Sequence, residues 1–513
     1  MFCGFRHLNG GDFCKAKSQP QFHKERKLSL ARKLRIIKMK VVLFGLNGSF
    51  SHTNLAIRRL RPALEAEGFD VKLVEAGLRD ADSAILETLV DENADIYGFS
   101  AYIWNIKRLL PIAEDLSSVL PNAFIVFGGP EVTYSTERFE DAGFIDCIIK
   151  GAGESALPSV CRSLKEGKNI PRIIDGGKTP LSEGILYRMD EHIKTTLYYE
   201  SAVGCPYSCA FCLSSATCGV EAKSAETTLS ELLEFEKLEG DFIVKFVDRT
   251  FNFNIKRANA IWRGLLDPKY TKRYQFEICA ELLNEESFEI LGKFPRGRVQ
   301  LEAGLQSTNE KTLAAVARHL DSKATLDACR RIKEQGNVHV HVDLIAGLPF
   351  EDYESFKKSF NDAYPCGEQL QLGFLKLLHG TALRNKADEY GYRFTADPPY
   401  TVLSNNWMSY KEIRRLDAIA DLVERYGNSG HFSRCLEYAM PYAASPFDFY
   451  EGLLDFINVR DGRNIRRIGQ NDAYELLYSY AEGLPSIDAE ILSRELHGDY
   501  TASEVRRPPR IIR

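Results

Sequence analysis

The sequence predicts an α/β protein made of two successive βα series and closed by a helical tail. Three observations carry this. Between residues 40 and 166, short apolar strands alternate with amphipathic helices; a second alternation runs from 196 to 376; beyond Gly380 the apolar residues recur at helical spacing. With 513 residues there is room for several domains, and 44% hydrophobic with 27% charged residues is ordinary for a globular chain.

In the first series the expected strands are 40–46, 70–75, 95–100, 123–128 and 145–150, with helices at 53–67, 82–93, 104–119, 135–142 and 154–166. Five βα units imply a parallel, doubly wound sheet covered on both faces. Ligands of such sheets sit beyond the carboxyl ends of the strands. Those ends read Asn47-Gly48-Ser49, Ser100-Ala101, Gly128-Gly129-Pro130 and Gly151-Ala152-Gly153-Glu154. Residues 167–194, with Gly176-Gly177 and Pro180, read as a linker. The first 38 residues are basic, with Asp12 and Glu25 the only acids, so Met39 is expected to be the natural start and 1–38 a mis-assigned extension.

The second series opens on Gly204-Cys205-Pro206-Tyr207-Ser208-Cys209-Ala210-Phe211-Cys212. Three thiols on a tight loop can close on one metal centre, and a cluster held by three thiolates keeps one iron free for a cofactor or substrate. A zinc knuckle is the alternative, but zinc sites usually pair two CxxC-like units, and Cys218 is not followed by a second pair. The twelve cysteines form no disulfide framework, which favours a reducing cytoplasm. No apolar run is long enough to span a membrane, and a net charge of −5 argues against a broad nucleic-acid footprint.

The CxxxCxxC spacing, with Phe211 before the third cysteine, resembles the radical S-adenosylmethionine (SAM) superfamily. The resemblance implies a 4Fe-4S cluster on Cys205, Cys209 and Cys212, whose open iron chelates SAM, and a partial (βα)6 TIM-like barrel. The domain before it, 39–168, resembles the Rossmann-like cobalamin-binding module fused to many such enzymes, in which Ser100, Gly128 and Gly129 would line the cofactor's nucleotide tail. The Asp-x-His-x-x-Gly motif that supplies a cobalt ligand in many such modules is absent. His52 stands near that loop and reads as a helix-start residue, so cobalamin is expected without a protein histidine on cobalt.

Strands of the second series are expected at 196–203, 242–248, 274–281, 298–304, 338–345 and 369–376. Residues two apart share a face. Gln275, Glu277, Cys279 and Glu281 therefore share one side, as do Arg298, Gln300 and Glu302, then His339, His341 and Asp343, then Gln369 and Gln371, each opposite apolar neighbours. Polar groups cost free energy to bury without partners, so a polar, ligand-lined lumen is expected. His339, His341 and Asp343 are the candidate catalytic groups. The superfamily resemblance places Asp248 near the methionyl amino group and Glu302, Gln306 and Ser307 near the ribose and carboxylate. It also places Gly347, in Asp343-Leu344-Ile345-Ala346-Gly347-Leu348-Pro349, beside adenine, with Phe211 close by.

The tail, 381–513, resembles an uncharacterised domain of one cobalamin-dependent radical subgroup. It is expected to cap the barrel mouth and help choose the substrate; its helix at Tyr410–Tyr426 is ended by Gly427, with Trp407 as a core anchor. The expected activity is cobalamin-dependent methylation of an unactivated carbon in an unknown small molecule, fed by an electron donor such as flavodoxin or ferredoxin. Radical rearrangement or ring closure related to tetrapyrrole cyclases is the alternative, with an RNA methylthiotransferase-like activity behind it.

Overall fold

A computed structural model describes residues 39–189, 191, 194–216, 219–460 and 465–503. The expectations on residues 1–38 and on Cys218 fall outside the described residues.

The first sheet contains β1 (Lys40–Asn47), β2 (Asp70–Gly77), β3 (Ile96–Ser100), β4 (Phe124–Gly128), β5 (Cys147–Lys150) and β6 (Ile173–Asp175). Their order is β2-β1-β3-β4-β5-β6, and every pairing is parallel. Strands β1 and β3 are buried along nearly their whole length, as expected when helices cover both faces. Winding reverses between β1 and β3, which opens a crevice at their carboxyl ends. Strand β6 lies within the segment expected to be linker. Its Ile173-Ile174-Asp175 pairs with Ile148–Lys150, a run too short to show in the sequence against flanking Gly and Pro. The rest of the linker is pinned to the helix Leu55–Ala66: Arg58 and Arg61 both pair with Glu191, and Arg61 Nη2 donates to Leu186 O at 2.8 Å. The expected helix 135–142 is instead two short turns, Pro130–Thr133 and Thr136–Phe139. Ser135 and Thr136 donate their hydroxyls back to the carbonyls of Glu131 and Val132, where side-chain bonds compete with helix continuation.

The second sheet begins with β7 (Thr196–Tyr199). A short ribbon follows, β8 (Ala202–Gly204) with β9 (Val220–Ala222), and then β10 (Ile243–Phe246), β11 (Arg273–Ile278), β12 (Val299–Gln306), β13 (His339–Ala346) and β14 (Gln369–Phe374). The order β7-β10-β11-β12-β13-β14 is sequential and wholly parallel, so the connections wind one way and the helices cover one face. Burial alternates strictly along β12 and β13, with apolar residues buried against the helices and polar ones half-buried on the inner side.

An open barrel has two free edges, and both are covered. Thr196 N donates to Ser51 O at 3.1 Å, and His52 bridges to Thr196, so the loop after β1 guards β7. At the other edge, Leu370 N donates to Asn428 Oδ1 at 3.1 Å and Asn428 Nδ2 donates to Leu370 O at 3.0 Å. That contact explains a departure from expectation. The helix Tyr410–Leu422 does not stop at Gly427 but continues as a wider π-helical turn, Val423–Asn428, carrying Asn428 to the strand.

The helices from 433 to 502 brace the barrel flank, not its mouth. Tyr353 and Tyr364 bond to Glu451 and Tyr450, and Lys357 pairs with Asp448. The segment that meets the mouth comes earlier, at 376–408, with its small ribbon β15 (Arg393–Phe394) and β16 (Val402–Ser404). Trp407 packs there on Phe350 and Tyr390, the core role expected of it. Among the described residues no helix is long and apolar enough to cross a membrane.

Candidate functional site

The three-cysteine loop is closed by the β8–β9 ribbon at the carboxyl end of β7. Gly204, with φ +92°, must be glycine, because a Cβ there would stand 2.1 Å from Gly219 O. The expected strand 196–203 breaks at Ser201 because Asp248 takes hold of the chain. Its Oδ1 accepts from Ser201 N at 2.8 Å and Ala202 N at 3.0 Å, and its Oδ2 from Ser201 Oγ. The far side of the loop is fixed by Ala210 N donating to Val316 O at 2.8 Å and Leu383 N donating to Ala210 O at 2.8 Å.

Cys209 is buried and Cys205 and Cys212 are half-buried, all as free thiols. Burial pushes the Cys209 thiol up, while the guanidinium of Arg318, which donates to its sulfur at 3.6 Å, pulls it back. Cys205 Sγ lies 3.7 Å from Thr250 Oγ1. The three thiols lie on one short loop, and Cys209 is near enough to Cys205 and Cys212 to feel their charge, as ligands of one centre would be.

Beside this loop lies a cavity of about 110 Å³, lined by Arg249, Thr250, Glu277, Cys279, Glu302, Gly304, Gln306, Arg318 and Asp343. Glu302 accepts from Gln275 Nε2 at 3.0 Å and from Lys245 at 3.3 Å. Asp343 Oδ1 is buried with no hydrogen-bond partner. Burial, then the neighbouring Glu302 and Glu277 carboxylates, push the Asp343 carboxyl up to about 8, so it is protonated at neutral pH. An unmet polar atom facing a polar cavity is what a missing ligand leaves behind.

Deeper in the lumen the network closes on itself. Gln300 Nε2 lies 2.8 Å from His341 Nε2, and His339 meets the His341 ring edge-on at 4.8 Å. Burial lowers His341 to about 4, leaving it neutral.

The carboxyl ends of the first sheet face the same mouth. Arg59 joins Glu154, after β5, at 2.7 Å and also Glu200, after β7. Buried Ser100 Oγ, at the β3 end, forms no hydrogen bond of proper geometry, with the Tyr102 hydroxyl near it. A Cβ on Gly128 would meet only Ile149 O, at 3.8 Å. A hydroxyl with only Tyr102 near it, beside a glycine that leaves open space, fits the polar tail of a corrinoid.

Three family models match the chain: a B12 binding domain over 41–161, the radical SAM superfamily over 199–363, and a protein family of unknown function (DUF4080) over 388–512. The chain is a B12-binding domain joined to a radical SAM domain. The cobalamin-dependent radical SAM methyltransferase TokK of Streptomyces tokunonensis is 26% identical over 473 residues, covering 79% of this chain and 64% of TokK. The chain thus spans slightly less than two thirds of that relative. Among solved structures, the cobalamin-dependent SAM radical enzyme OxsB superposes with TM-score 0.61 at 14% identity, over 92% of this chain and 80% of that one. The radical SAM methyltransferase TsrM from Kitasatospora setae superposes with TM-score 0.57 at 17% identity, over 71% and 79%. At these identities the structures share the fold with this chain.

The radical SAM domain gathers Glu302, Gln306 and Asp343 at one cavity. Other expected site residues lie apart from this cavity. Asp248 is spent on the Ser201-Ala202 backbone and does not reach the cavity. Ser307 faces outward, bonded to buried Glu351 at 2.5 Å. His339 and His341 lie nearer the amino end of β13, below the cavity, with His341 bonded to Gln300 and His339 packed edge-on against its ring. Gly347 lies under the 376–408 segment, its carbonyl accepting from Tyr392 OH at 3.1 Å and Asn405 Nδ2 at 2.9 Å. Phe211 packs in the apolar cluster with Val316 and Leu348. Arg298 bonds to the carbonyls of Tyr270 and Lys272 at the amino end of β12, not in the lumen.

Sequence reasoning gave no site role to Arg249 and Thr250, just past the end of β10, or to Arg318, after the helix Glu310–Ala315, where no periodicity marks them. Glu277 and Cys279 were visible only as members of an alternating stripe.

In the B12-binding domain, His52 Nδ1 lies 2.9 Å from Tyr198 OH, a contact between the first domain and β7. Gly129, with φ +111°, is required by the turn itself: a Cβ would stand 2.4 Å from Ala101 O. Its replacement would disturb the β3–β4 turns themselves. Gly128 is the better probe of the crevice. Gly128→Leu is expected to lower corrinoid retention at least about tenfold while iron content is unchanged, read by absorbance of the purified protein; equal retention would remove the crevice from the site.

Proposed function

We propose that this chain is a cobalamin-dependent radical SAM enzyme that methylates an unactivated carbon of a small molecule. One observation carries the proposal. A three-thiol loop and the carboxyl ends of a corrinoid-type sheet are anchored at the same mouth of a barrel with a polar cavity beneath. TokK, described as a methyltransferase of this kind, supports it.

Cys205, Cys209 and Cys212 would hold a 4Fe-4S cluster, Glu302, Gln306, Asp343 and Arg318 would surround SAM, and Ser100 and Gly128 would line the cobalamin tail. Bound there, these groups supply an electron for SAM cleavage and a transferable methyl group. The chain's own residues orient and shield. Arg318 places a positive charge between Cys209 and the cavity, fixed by its second donation to Gly304 O. Protonated Asp343 offers a hydrogen bond to a bound hydroxyl or carboxylate, where a charged acid would repel Glu302 and Glu277. The ribbon β8–β9 and residues 376–408 wall the mouth against water.

A flavodoxin- or ferredoxin-type protein is the proposed electron donor, and the cytoplasm the proposed location. Among the described residues all nine cysteines are free, which suits a reducing compartment. The test is incubation of reconstituted protein with methyl-labelled SAM and metabolite extract of a strain lacking it. Label should enter one small molecule; SAM cleavage with an unlabelled product would favour rearrangement or ring closure instead.

A further inference from the structure

The segment 376–408 touches both halves of the site through buried contacts. Tyr400 is fully buried with φ +57°, and its hydroxyl donates to Glu131, itself nearly buried at the turn after β4. Arg138 completes the group, donating to the Tyr400 hydroxyl and pairing with Glu131 at 3.1 Å. Gly380 passes so near Tyr134 that a Cβ would stand 2.3 Å from its ring. These contacts all reach the first domain beside Gly128-Gly129. From Tyr400 the backbone runs directly to the barrel. Leu377 N donates to Tyr400 O at 3.0 Å, and Val402 N donates to Leu375 O at 2.9 Å, which ties this stretch to the continuation of β14. Leu383 N then donates to Ala210 O at 2.8 Å, inside the three-cysteine loop. Tyr392 and Asn405 hold Gly347 O at the end of β13.

We propose that residues 376–408 are a positioning strap that sets the first domain's crevice against the cysteine loop, with Tyr400 as its positioning residue. The strap rests on the function proposed above only for the identity of what it positions. A carboxylate as buried as Glu131 is costly to leave unpaired, so the Glu131–Tyr400–Arg138 group holds the strap in one register and does not slide. Burial, and then Glu131, keep the Tyr400 phenol protonated and able to donate. The exposed Lys107–Asp397 pair, at 2.9 Å, joins the same two parts but is solvent-screened and contributes little.

The chain reports on the strap through the Leu383 amide, read by hydrogen exchange with mass spectrometry or NMR. Wild-type protein titrated with hydroxocobalamin, with retained corrinoid followed by absorbance, should show slower exchange at Leu383 as the first domain fills. Tyr400→Phe and Glu131→Gln should speed that exchange about tenfold while the amides of β11–β13 keep their protection. In protein reconstituted with iron, sulfide and hydroxocobalamin, both variants should keep both cofactors yet show altered magnetic coupling between cob(II)alamin and the reduced cluster. Changes confined to 131–138 and 398–402, with Leu383 exchange and the coupling as in wild type, would overturn the strap and leave Tyr400 as local packing. Failure of the wild type to retain corrinoid would count against the cofactor assignment instead, and the strap would then stand or fall on Leu383 exchange in the cofactor-free variants.

Discussion

Cys209→Ala is expected to give a folded protein that cannot hold iron. The thiol is buried, but losing one sulfur from the core costs only about 1–2 kcal/mol, well within what a chain of this size tolerates. The loop stays closed without it, through Asp248 on Ser201 and Ala202 and through the Ala210–Val316 and Leu383–Ala210 backbone bonds. Two remaining thiols cannot hold a four-iron cluster in a site that already leaves one iron without a protein ligand. Iron and sulfide after anaerobic reconstitution should therefore fall to background, with an unchanged circular dichroism spectrum. Retention of the cluster at wild-type stoichiometry would place it elsewhere.

The second large effect is a pH dependence written into the barrel lumen. Asp343 titrates near 3.8 when unfolded and at about 8 when folded, so between those values the folded chain holds a proton that the unfolded chain releases. Its contribution to stability falls as pH rises from about 4 and levels off above 8. His341 does the opposite, titrating near 6.5 unfolded and about 4 folded. Its contribution is complete above 6.5 and lost as pH falls toward 4. The two slopes cancel between 4 and 6.5, leaving a net loss of about 2 kcal/mol between pH 6.5 and 8. Asp343→Asn removes one slope. Cofactor-free protein carrying it should gain stability from pH 4 to 6.5 and hold it to pH 9, whereas the wild type should lose stability above 6.5. Denaturant midpoints across this range check the signs, and parallel curves for the two proteins would contradict a protonated Asp343.

What the sequence could show, and what it could not, follows from the range of the interactions. The parallel strands were legible because their periodicity is local: β1 and β3 read as continuous apolar runs, and β12 and β13 as alternations. The three cysteines were legible because their spacing is local too. The hold of Asp248 on the backbone was not legible because its partners, Ser201 and Ala202, lie 47 and 46 residues away. His339 and His341 share a face with Asp343, but period two fixes the face and not the depth along the barrel, and depth decides which of them meets the cavity. Strand β6 escaped because three residues carry too little pattern. The strap escaped because its meaning lies in contacts such as Tyr400 with Glu131, 269 residues apart.

The most direct test of the whole account is SAM cleavage by the purified chain. Protein reconstituted anaerobically with iron and sulfide, reduced, and supplied with SAM is expected to form 5′-deoxyadenosine, detected by mass spectrometry, and Cys209→Ala none. Reconstituted protein that retains zinc in place of iron, and leaves SAM intact after reduction, would contradict it.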